Sequence, residues 1–144
     1  MMQPRWLKVV LWILGATSLL NGIAMFFAPS IWFFKMVPGV PETGPFNAHL
    51  VADSGTFFIA AGVGLLIAGF DPRRHLAVVV VAAIASLFHS ILHIYSHEAG
   101  LLSLEHLGTE VFGIYLPTQV LIAIAIALVR NPTRVSAAAA AHAV

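Results

Sequence analysis

The stretch LAVVVVAAIASLFHSILHIY, Leu76 to Tyr95, decides the fold. It runs for twenty residues without an Asp, Glu, Lys or Arg. Wound as a helix at about 1.5 Å per residue, it is about 30 Å long, the thickness of a bilayer's hydrocarbon core. Three further runs have the same character, at about 6–27, 48–70 and 107–129. In lipid each span must satisfy its own backbone, and continuous apolar runs do so as helices. The expected fold class is therefore all-α, a four-helix transmembrane bundle.

Composition agrees. Of the 144 residues, 60% are hydrophobic and 9% charged, against about 25% charged in a soluble domain. The length suits one membrane domain, residues 1–130, followed by an Ala-rich tail, 131–144. There is no cysteine, which removes disulfides, thiolate metal sites and cysteine nucleophiles. A net charge of +1 points to no nucleic-acid partner. The opening MMQPRWLK looks like a signal-peptide start, but the apolar run behind it is too long, so it reads as a retained first span.

Between the first two runs, Pro29 ends the helix by lacking an N–H. Ile31 to Val37 is short and aromatic, and is expected as a short interfacial helix at headgroup depth. PGVPETGPFN follows as an ordered loop, with Asn47 placed to cap the second span. Gly55, Gly62, Gly64 and Gly69 recur along that span as close-packing positions. Pro117 is expected to kink the fourth span and free the carbonyl one turn earlier.

Arg5, Lys8, Arg73, Arg74, Arg130 and Arg134 fall on one side of this layout and only Lys35 on the other. The positive-inside bias then places both termini in the cytoplasm.

That orientation gathers His49, Asp53, His89, His93, His97, Glu105, His106 and Glu110 at the opposite end, with Asn21 at a similar depth on the first span. Ionisable groups inside a bilayer cost about 2.5–3.5 kcal/mol on insertion scales, so they turn inward and seek partners. Asp53 and His89 lie deepest. His49 with Asp53, His89 with His93, and His106 with Glu110 are i,i+4 pairs that share a helix face. The expected pocket comprises His49, Asp53, His89 and His93, with Glu110, His106 and Asn21 at its edge. His97, Glu98, Glu105 and, unless it joins the pocket, His106 are expected in water, and Ser54, Ser86 and Ser90 bonded to their own helix carbonyls.

Imidazole with carboxylate suits Zn, Fe or Mn, so His49, Asp53, His89 and His93 are the candidate metal ligands. A quinone-like or small polar ligand, in a redox-accessory protein, is the other occupant. The alternative is a non-catalytic structural or accessory subunit in which the same residues join helices by hydrogen bonds. HSILHIYSH lacks the glutamate of the HExxH pattern, which disfavours a hydrolase. The apolar basic-side halves of spans two to four disfavour a transporter, unless a homo-oligomer or a membrane partner completes the path. Whether the chain is an enzyme is left open by the residues.

The segment APSIWFFKMVPGVPETGPFNAHLVADSG, Ala28 to Gly55, resembles a group of small, functionally uncharacterised bacterial four-span membrane proteins. In that group a TGPFN loop runs into a helix with a histidine and an aspartate four residues apart, here Thr43 to Asn47, His49 and Asp53. In size and layout the chain also resembles the DoxX-like class. The resemblance implies a bacterial cytoplasmic (inner) membrane location, and that the loop and the His49/Asp53 pair form one feature. It carries no activity with it.

Overall fold

The computed structural model describes residues 5–130, so the Ala-rich tail and Arg134 lie outside the described residues. Four helices are long and apolar enough to cross a membrane: Arg5–Phe27, Ala48–Phe70, Leu76–Glu98 and Leu104–Arg130, here spans one to four. No strand occurs among the described residues. An all-α, four-span bundle is what the apolar runs dictate.

Spans one and two pack most intimately, spans three and four next, and spans two and three more lightly. The seam between spans one and two is built from glycine at a spacing of seven on both helices. A methyl group added to Gly62 would sit 2.5 Å from the Leu19 nitrogen, and one on Gly22 would sit 2.6 Å from the Ile59 nitrogen. Their lack of side chains lets the two backbones touch, and such packing drives helix association in lipid. Gly55 and Gly62 were legible as packing positions; their partners Gly15 and Gly22 complete the seam. Ser18 Oγ crosses it to donate to the Phe58 carbonyl at 3.0 Å.

One end of the bundle carries Arg5, Arg130 and the Arg73–Arg74 turn, and is called the basic end. There the core closes, with Leu7, Leu11, Leu65, Ala68, Val79, Ala82, Leu121, Ile124 and Leu128 drawn from all four spans. Lys8 Nζ donates to the last carbonyl of span two, on Phe70, at 2.8 Å.

The other end, the histidine end, is roofed by the connection between spans one and two. A helical turn at Pro29–Ile31 runs into a π turn at Trp32–Met36, where a short interfacial helix was expected. Trp32 Nε1 donates to Asn21 Oδ1 at 2.8 Å, which pins this turn to span one. Phe46 of the TGPFN loop packs on Phe33 and Phe34, with both ring centroids 5.2 Å away. Asn47 caps span two as its sequence position implies, accepting from Leu50 N at 3.1 Å.

Two boundaries differ from the sequence reading. Span three continues past Tyr95 to Glu98 and ends on Gly100, whose φ of +70° suits glycine. The Gly100 N–H bonds the His97 carbonyl and the Leu101 N–H bonds the Ser96 carbonyl, the paired closure of a Schellman turn. Span four begins earlier, at Leu104, and is interrupted by a π turn at Val111–Tyr115, just before Pro117. Pro117 offers no N–H to the Gly113 carbonyl, and the helix widens there rather than simply bending.

Candidate functional site

The additional turn of span three carries His97 back into the bundle, and this corrects the expectation that His97 is solvated. Its side chain is 9% exposed. Its Nδ1 lies 3.2 Å from the Leu102 carbonyl, and its Nε2 lies 2.7 Å from Glu110 Oε2. A carbonyl only accepts, so Nδ1 carries a hydrogen and donates. A second proton then lies between Nε2 and the carboxyl group, and the pair is neutral overall whichever atom holds it.

Glu110 is the centre of the cluster rather than an outer member. The residue is 6% exposed, and its Oε1 accepts from His93 Nδ1 at 3.1 Å. Tyr115 stands beside the same carboxylate. Spans three and four are thereby joined by one carboxylate and two imidazoles. The cost argument that singled out Asp53 applies equally to Glu110, a carboxylate inside span four facing an i,i+4 histidine pair. What the chain does not display is that both histidines face span four.

His89 is held differently. Its ring stacks on that of His93, with centroids 4.8 Å apart and planes 6° from parallel. Phe58 of span two abuts it nearly perpendicularly at 5.9 Å. Among the described residues neither nitrogen of His89 has a hydrogen-bond partner, and the ring lines a cavity of about 480 Å3. All four spans line that cavity. Leu14, Phe58, Ala61, Ile114 and Leu121 supply apolar wall, while Asn21, Ser86, His89 and Thr118 are polar groups on it. Gly113 and Pro117 also line it, so the widened turn of span four forms part of the wall.

Thr118 and Ser90 form a further cross-tie that the sequence reading missed. Ser90 Oγ donates to Thr118 Oγ1 at 2.9 Å, and Thr118 Oγ1 donates to the Ser86 carbonyl at 3.2 Å. Ser90 therefore bonds across the bundle rather than to its own helix. Ser54 does follow the expectation, donating to the Leu50 carbonyl at 2.9 Å.

The structure separates the expected pocket into two parts. His49 and Asp53 pair with each other at 3.2 Å on the outer face of span two, with side chains 87% and 56% exposed. His93 and Glu110 meet between spans three and four, and His89 stacks on His93 and lines the cavity. Among the described residues no three His, Cys, Asp or Glu side chains are arranged to hold a metal ion. The four-ligand set of His49, Asp53, His89 and His93 is thus not assembled. An i,i+4 pair fixes which residues share a face, not which way the face points.

His106 is also partnered outside the expected pocket. Its Nε2 meets Glu42 Oε1 at 2.7 Å, and Glu42 Oε2 accepts from Ser103 N at 2.9 Å. These two bonds fasten the Pro/Gly loop over the start of span four. Gly39, with φ of +84°, lies against the His106 ring, where a side chain would collide. The Ser103 N–H and the His106 ring hold the Glu42 carboxyl below its usual range. Glu98 and Glu105, at the facing ends of spans three and four, are exposed as expected.

No family model matches the chain, and no curated protein or solved structure matches it.

Proposed function

We propose that this integral membrane protein binds a small lipid-soluble molecule in the cavity between its four spans. The observation that carries the reading is a cavity of about 480 Å3 with His89 on its wall, neither of whose ring nitrogens is hydrogen-bonded among the described residues. Small-molecule sites measure about 300–1,000 Å3, with mostly apolar walls and a few polar groups that orient the ligand. A single ring with a polar substituent fits that description, which includes the head of a quinone-like molecule. The positive-inside bias supports a cytoplasmic position for both termini.

The test is equilibrium dialysis of purified protein in lipid nanodiscs against 1-naphthol and naphthalene, with empty discs subtracted. Wild type should bind at least one of them saturably. Ala61→Phe, which fills the cavity from span two, should abolish saturation while the helices still unfold cooperatively. Uptake equal to that of empty discs, or unchanged in Ala61→Phe, overturns the reading.

One observation favours a second reading, a non-catalytic structural subunit. Both Glu110 oxygens are already occupied by histidines of span three, as a helix-joining device requires. In that case the cavity takes neither probe, and Glu110 variants change stability alone.

A further inference from the structure

Resting on the cavity as a binding site, we infer that its ligand carries a hydroxyl group recognised by His89, and that Glu110 is the positioning residue that sets this recognition from outside the cavity. The walls are largely apolar, so most of the ligand is hydrocarbon or aromatic ring. His93 covers one face of the His89 ring, and Phe58 stands nearly perpendicular to it. Neither ring nitrogen is hydrogen-bonded among the described residues, and the residue lines the cavity, so the nitrogens are the polar atoms it offers a ligand. A neutral imidazole has one N–H donor and one bare acceptor nitrogen. A hydroxyl group both donates and accepts, so it matches His89 in either tautomer, whereas a bare hydrocarbon leaves the nitrogens unsatisfied.

Glu110 acts through a chain of contacts. The Leu102 carbonyl fixes His97 at 3.2 Å, His97 fixes Glu110 at 2.7 Å, and Glu110 fixes the Nδ1 edge of His93 at 3.1 Å. His93, so fixed, is the surface on which His89 stacks. Each ring in the series has one face or edge committed to its neighbour, and of the three rings only His89 lines the cavity. The carboxylate therefore sets ligand preference without touching the ligand.

The experiment compares 1-naphthol with naphthalene, two planar probes that differ by one hydroxyl group, on the full chain in nanodiscs. Wild type should prefer naphthol by about 5- to 10-fold, the worth of roughly one neutral hydrogen bond. His89→Phe should bring the ratio close to one while naphthalene still binds. Glu110→Gln, which keeps the size of the group, should lower the naphthol preference without abolishing naphthalene binding. Histidine ring 15N shifts should report a changed His93 tautomer in that variant. If both probes bind wild type equally, the cavity is a site and the hydroxyl inference fails. If Glu110→Gln leaves the ratio intact, the positioning role fails. If neither probe binds, the cavity reading fails with it.

Discussion

His97 Nε2 lies 2.7 Å from Glu110 Oε2, between the last turn of span three and the first turns of span four. A carboxylate nearly closed off from solvent has both oxygens bonded at that point, and its loss leaves His93 Nδ1 and His97 Nε2 without their hydrogen-bond partner. Hydrogen bonds to charged groups are worth about 1.5–3 kcal/mol each, and leaving buried partners unmade costs more than replacing both. Glu110→Ala should destabilise the bundle by about 2–3 kcal/mol, and Glu110→Gln by less. Reversible unfolding in detergent measures both. A change within about 0.5 kcal/mol for Glu110→Ala would mean that the cluster does not join the spans.

The glycine seam makes a steric prediction. Gly62→Ala and Gly22→Ala place a methyl group against backbone of the facing helix, which cannot yield as a side-chain tip can. Overpacking costs about 1–3 kcal/mol. Gly108→Ala and Gly113→Ala meet nothing within 4 Å and should fold with wild-type stability. Thermal unfolding of the four variants separates the two classes.

Thr118→Val tests the buried hydroxyl tie. It keeps the shape and removes both the bond from Ser90 and the bond to the Ser86 carbonyl. Interhelical hydrogen bonds in membranes average about 0.6 kcal/mol, so a loss of about 0.6–1 kcal/mol is expected. Ser90→Ala in the Thr118→Val background should add little, which a double-mutant cycle measures directly.

The loop over the histidine end should be sensitive to acid. Glu42 is held below its ordinary value of 4.5 by the Ser103 N–H and the His106 ring. A depressed carboxyl contributes its attachment above the unfolded value and loses it as pH falls through the folded one. The loop should therefore stay fastened at neutral pH and loosen in the window below 4.5. Hydrogen exchange at the Ser103 amide reports the change, and Glu42→Gln should exchange quickly at every pH.

Four spans put both termini on one side, and the positive-inside bias, six Lys and Arg residues against one, predicts that this side is the cytoplasmic one. A C-terminal reporter that fluoresces only in the cytoplasm should be bright, and one active only in the periplasm should be silent.

The chain alone determined the spans, the Asn47 cap and the small-residue face of span two. These depend on local quantities: the length of an apolar run, a side chain within reach of its own backbone, the absence of a Cβ. It also gathered His89, His93 and Glu110 at one end of the bundle. Which of the polar residues meet was decided only by the tertiary structure. The Schellman turn at Gly100 lengthens span three and turns His97 inward, so that His93 and His97 converge on Glu110. His49 and Asp53 have the same spacing, yet their face of span two points away from the bundle. The physical reason is rotation. Spacing along a helix fixes the angle between two side chains, whereas the angle each face makes with its neighbours is set by how the helices pack, here by the glycine seam that presents the Gly55–Gly62 face of span two to span one.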